Sequence, residues 1–130
     1  MQCRRTSLRS LIVDENRDLR ERTKAFALRI IRMYASLPKV PEAQVLGKQV
    51  LRSGTSVRAH YREACRSRST AEFESKIEGG QQELEETSYW LELLVDSGIV
   101  PAKRLAALQQ EAEELAAIFA SSAITAKKGK

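Results

Sequence analysis

The sequence predicts an all-α protein, an up-down-up-down antiparallel four-helix bundle. Three observations carry that expectation. Apolar residues recur at steps of three and four along four separate stretches. Proline and glycine are scarce, 3 and 6 in a chain of 130 residues. The connections are short, so consecutive helices must fold back on one another. Composition agrees: 42% of residues are apolar and only 5% aromatic, with few of the β-branched residues a sandwich or barrel requires. A chain of this length suits one domain that holds its core without disulfides or metal.

Residues 1–13 show no clear periodicity and read as a basic N-terminal arm. The bundle is expected over residues 14–125, and residues 126–130 read as a basic, frayed tail. Helix one starts near Asp14–Asp18 and runs to about Ser36, with Phe26, Ile30, Tyr34 and Leu37 as its apolar stripe. Pro38 and Pro41 end it and open the next element. Helix two runs from Glu42 to about Arg66 or Arg68, and Ser69 or Thr70 caps helix three. Helix three continues to Asp96 along a seam of Phe73, Ile77, Gly80, Leu84, Leu91 and Leu94. Ser97-Gly98 closes it, and Pro101 sits at the first turn of helix four. That helix carries Leu105, Leu108, Ala112, Leu115 and Phe119 to about Ser122.

Charge is divided along the chain. The net charge is +5, yet residues 1–68 hold sixteen Lys/Arg against six Asp/Glu, and residues 69–130 hold six against eleven. A basic face for an anionic partner is one reading, and pairing of basic with acidic helices is the other. No run approaches the length of a membrane span, and the two cysteines, Cys3 and Cys65, read as reduced thiols of a cytoplasmic protein.

Catalytic chemistry finds little support. His60 is the lone histidine, and Cys65, five residues on, falls on a different helix face. A di-iron bundle requires two Glu-x-x-His motifs, and a single zinc site lacks ligands, so no metal or other cofactor is expected. Ser53-Gly54-Thr55-Ser56 lies inside a helix and lacks the lysine of a phosphate loop. Glu83 and Glu86, one turn before Trp90, suit an ion-pair site for arginines of a neighbouring helix better than acid/base work. The reading is not an enzyme.

Helix two is the informative element. At about 100° per residue, Leu46, Val50, Ser53, Val57, Tyr61 and Ala64 share one face. Lys48, Arg52, Arg62 and Arg66 lie opposite, with Arg58 at the edge. A third stripe holds Gly47, Gly54 and Cys65. Glycine inside a helix costs about 1 kcal/mol relative to alanine, which points to close helix packing. With Gly80 and its neighbour Gly79 in helix three, the expectation is that helices two and three approach closely. Gly47, Gly54, Gly80, Glu83, Glu86 and Trp90 are therefore assigned to helix packing or a subunit interface.

The run Ser53-Gly54-Thr55-Ser56-Val57, followed by Tyr61-Arg62-Glu63-Ala64, carries a resemblance, supported by Phe73-x-x-Lys76-Ile77 and Glu86-Thr87-x-x-Trp90-Leu91. Over roughly residues 26–98 the chain resembles the four-helix-bundle proteins encoded by intervening sequences of bacterial 23S rRNA genes. It departs from that pattern at Arg58, where a small residue is expected, and at His60, where asparagine is common. The resemblance implies a homopentamer, a barrel of bundles around a central channel. It also implies kinship with the accessory variability determinant of diversity-generating retroelements, which binds nucleic acid and a reverse transcriptase.

Together these readings predict a non-enzymatic, oligomeric nucleic-acid-binding scaffold, with RNA as the expected ligand. Its contacts would be Lys48, Arg52, Arg58, Arg62 and Arg66, assisted by Arg4, Arg5 and Arg9 of the arm. The alternative is a protein-interaction adaptor or an accessory subunit of a reverse transcriptase.

Overall fold

A computed structural model of the chain describes residues 9–128, with side chains from Asp18 onward. The described residues form four helices and no strand: α1 Arg9–Ala35, α2 Pro41–Cys65, α3 Thr70–Asp96 and α4 Ala102–Lys128. Two boundaries differ from expectation. Helix α1 begins five residues before Asp14, since neither proline nor glycine lies there to interrupt it. Helix α4 continues to Lys128, into the segment read as a frayed tail. Lys127 in its last turn reaches Glu78 of α3 at 2.9 Å, and positive charge suits a helix C-terminus.

The helix ends follow from local chemistry. Leu37 N–H donates to the Tyr34 carbonyl at 3.1 Å, closing α1 just before Pro38. Pro41 opens α2 at a position whose N–H would have no helical partner. At α3, the Ser69 hydroxyl accepts from Glu72 N–H at 3.1 Å while the Glu72 carboxylate accepts from Arg68 N–H at 2.9 Å. Gly98 ends the α3 turn with φ of 80°, a left-handed conformation that glycine adopts without a Cβ clash. Ile99 and Val100 N–H then both donate to the Leu94 carbonyl.

Side-chain contacts establish an antiparallel order. Gly54 of α2 lies against Ile30 of α1, and Gly47, seven residues earlier, against Tyr34 and Leu37. Ser53 pairs with Thr87 of α3, and Glu63 with Lys76. Gly80 of α3 faces Phe119 of α4. Phe26, Ile30, Val50, Val57, Tyr61, Ile77, Leu84, Leu91, Leu115 and Phe119 fill the centre, all fully buried. The Tyr61 and Phe119 rings meet there with centroids 6.0 Å apart. Helix α1 packs chiefly on α2 and meets α4 at few places. The principal link is Arg22, which donates through Nε and Nη2 to Glu111 at 3.0 and 2.8 Å and to Glu114 at 3.0 Å. Those carboxylates hold its guanidinium well above its usual ionisation range, against the opposing effect of burial.

Helices α2 and α3 do pack closely, but the glycines of the two helices do not face one another. A Cβ at Gly54 would stand 2.7 Å from Ile30 Cγ1, and one at Gly47 2.5 Å from Leu37 Cδ1. Both glycines therefore admit α1. A Cβ at Gly80 would stand 2.5 Å from Phe119 Cε2, so that glycine admits α4. Gly79 faces α2, where it accommodates the His60 ring, and a Cβ at Gly80 would also stand 3.4 Å from the His60 Cβ. Gly54 and Gly47 lie on the opposite flank of the buried α2 face from Ser53 and His60, which meet α3. Cys65 is half-buried against the core, and Cys3 lies outside the described residues, so the reading of the pair falls outside what is described.

Candidate nucleic-acid interface

Helix α2 presents its basic residues in two different states. Lys48, Arg62 and Arg66 are exposed, and none forms an ion pair among the described residues. Arg62 and Arg66 stand one turn apart near the α2 C-terminus, where the helix dipole favours positive charge. Lys48 lies about 21 Å back along the helix from Arg62, at 1.5 Å per residue.

Arg52 is engaged within the molecule. Its Nη1 donates to Glu83 at 3.3 Å and its Nη2 to Glu86, both on α3. The Glu83 carboxylate also lies 3.8 Å from His60 Nε2. Arg52 thus ties α2 to α3, so the basic stripe expected from the sequence is interrupted at its centre. The helical wheel places Arg52 opposite the core, but an arginine stem is long enough to reach the adjacent helix. Trp90, the third member of that flank, is half-buried and sets its ring edge-on to Tyr89, with centroids 4.9 Å apart. Its indole Nε1 is buried without a hydrogen-bond partner.

Arg58 differs from its neighbours on the stripe. It is half-buried on the α1-facing flank of α2, and burial lowers its ionisation below the usual arginine range. The positive charges of Arg20 and Arg62 lower it further, with Tyr61 opposing them. Arg20 belongs to α1 and is exposed. The sequence reading misses it, because a polar stripe on α2 carries no information about α1. A wheel drawn for α1 places Arg20 beside the apolar face, on the side of Ala27 and Tyr34. Arg9 opens α1, in a stretch whose side chains lie outside those described, and Arg4 and Arg5 lie outside the described residues.

The opposite side of the bundle is acidic. A cleft of about 380 Å³ between α3 and α4 is lined by Glu85, Glu92, Glu113, Ser88, Tyr89 and Gln109. No group of three or more His, Cys, Asp or Glu among the described residues is arranged to hold a metal ion. Among them, no helix is long and apolar enough to cross a membrane.

Fold and site define an antiparallel four-helix bundle with a cationic face on its second helix and an acidic cleft on the far side. The chain belongs to the family of 23S rRNA-intervening sequence proteins, whose model matches residues 15–121. It is also similar to a crystal structure from Bacteroides thetaiotaomicron VPI-5482, described as a protein with unknown function from the S23 ribosomal protein family. That similarity has a TM-score of 0.78 at 31% identity and covers 83% of this chain and 96% of the other. No curated protein matches the chain.

Proposed function

We propose that this protein is a non-enzymatic, oligomeric scaffold that binds nucleic acid, with RNA as its ligand. The observation that carries the reading is the exposed, unpaired set Lys48, Arg62 and Arg66 on one helix face. Elsewhere the chain neutralises arginines between its helices with its own carboxylates, as at Arg22 and Arg52. Phosphates are the natural counter-charge for those left over. Tyr89 is the one aromatic among the large exposed apolar residues described, and it lies in the acidic cleft. The cationic face therefore lacks a stacking platform, and binding should depend little on base sequence.

Self-association is supported by Leu28, Ile31 and Val45, three exposed aliphatic residues on α1 and α2. A homopentamer, as the family resemblance implies, would multiply a modest patch by avidity. Light scattering should then give about five times the 14.6 kDa chain mass.

Binding to structured RNA across a salt series tests the reading. Arg62→Ala/Arg66→Ala should weaken binding to every sequence. Its log–log salt slope should be shallower by about 0.7–0.9 for each phosphate that is no longer neutralised. Lys103→Ala/Arg104→Ala, on exposed α4 positions, controls for bulk charge. Equal weakening in both variants would reduce the effect to net charge. An unaffected Arg62→Ala/Arg66→Ala protein would assign the face to an acidic protein partner, such as a reverse transcriptase.

A further inference from the structure

We propose that Arg20 of α1 and Arg58 and Arg62 of α2 form one phosphate-binding site at the α1–α2 groove. The proposal rests on the nucleic-acid reading and deepens it, by naming where a single phosphate group is gripped. Gly54 allows α1 to close onto α2 at Ile30, and Arg58 follows one turn later on the same flank. Its side chain is half-buried there. Arg62 lies one further turn along, and the antiparallel register set by the Gly54–Ile30 and Gly47–Leu37 contacts brings Arg20 of α1 level with Ala64, about half a turn past Arg62.

Three like charges are thus gathered where one of them is half-buried. Among the described residues no carboxylate pairs with any of the three. Asp18 lies 3.7 Å from Arg22, Glu63 holds Lys76 of α3 at 3.3 Å, and Glu21 is on the side of α1 that faces away from the apolar stripe. Arg22 and Arg52 differ in this respect, because each of those has two or more acidic partners. A partly dehydrated guanidinium without a counter-ion is destabilising, and an incoming anion would relieve that. Guanidinium groups donate in planar forks that match the oxygens of a phosphate, so two helices can share one ligand. Either a nucleic-acid backbone or a free ion can supply that phosphate.

The test uses the full chain and Arg58→Gln, with Arg104→Gln as a charge control on α4. In chloride alone, Arg58→Gln should melt higher than the natural protein, because it removes a half-buried repulsive charge. Inorganic phosphate should raise the melting temperature of the natural protein and of Arg104→Gln above that in chloride of equal ionic strength. Arg58→Gln should lose that response. With a single-stranded RNA oligonucleotide, Arg58→Gln should bind more weakly and flatten the salt slope by about 0.7. Phosphate stabilisation without RNA binding would support the site for a free anion and overturn the nucleic-acid reading. RNA binding that is unchanged by Arg58→Gln, with no phosphate response, would overturn the site and leave that reading standing. Retention of both responses in Arg58→Gln would also overturn the site.

Discussion

Ser53 of α2 and Thr87 of α3 share a hydroxyl–hydroxyl hydrogen bond of 2.8 Å, with both residues completely buried. Thr87 donates to the Glu83 carbonyl at 2.8 Å, which leaves Ser53 as donor to Thr87. Two polar side chains thus satisfy each other between helices that are otherwise joined by apolar packing. Ser53→Ala and Thr87→Val should each destabilise the bundle by about 1 kcal/mol, the usual net value of such a bond. The double variant should cost less than the two added together, since no orphaned hydroxyl remains. Denaturant titrations of the four proteins measure the coupling; strict additivity would mean that the hydroxyls do not act together.

The glycines make a graded prediction. Gly54→Leu must displace Ile30, and Gly80→Ala must displace Phe119, both fully buried. Each should cost about 1–3 kcal/mol from overpacking. Gly79→Ala meets only the His60 ring, which is half-buried and able to swing aside. The gain in helix propensity, about 1 kcal/mol, should leave that variant near neutral. Thermal melts of the three variants check the order. If Gly54→Leu melts like the natural protein, α1 does not seat on that glycine.

The α1–α4 link predicts a pH dependence. Hydrogen bonds from Gln110 and from Arg22 hold the Glu114 carboxyl below the usual glutamate range. A carboxyl with a lowered folded-state pKa adds stability that is complete above its unfolded pKa, about 4.3, and is lost as pH falls through the lower folded value. The natural protein should therefore melt above Glu114→Gln at neutral pH, and the gap should close as pH falls below the ordinary glutamate range. A gap that persists into stronger acid would separate Glu114 from this effect. Arg22→Gln should lower the melting temperature more than Glu114→Gln, because it also releases Glu111.

The helices are legible in the sequence because their signals are local. Pro38, Pro41, Ser69 and Gly98 punctuate the chain through their own backbone and side-chain chemistry. Periodicity then marks which residues face inward, and Val50, Val57, Tyr61, Ile77 and Leu84 are all buried as their spacing predicts. Partner choice is a different kind of information. That Gly54 admits Ile30, or that Arg52 turns to Glu83 and Glu86, depends on which flank of α2 each neighbour occupies. A wheel drawn for one helix says nothing of its neighbours. Arg20 is hidden for the same reason, since its importance arises only from lying beside α2 residues some forty positions away.

The sparse packing between α1 and α4 bears on how the molecule opens. Helices α2, α3 and α4 support one another in sequence, whereas α1 has its main purchase on α2 alone. Detaching α1 should cost less than unfolding the whole bundle, so its amide hydrogens would exchange with solvent through a partial opening of lower free energy. The Arg22 carboxylate links act as the latch on that opening. Any ligand held jointly by α1 and α2 would slow the exchange of α1 more than that of α3, coupling occupancy of a surface groove to the cohesion of the fold.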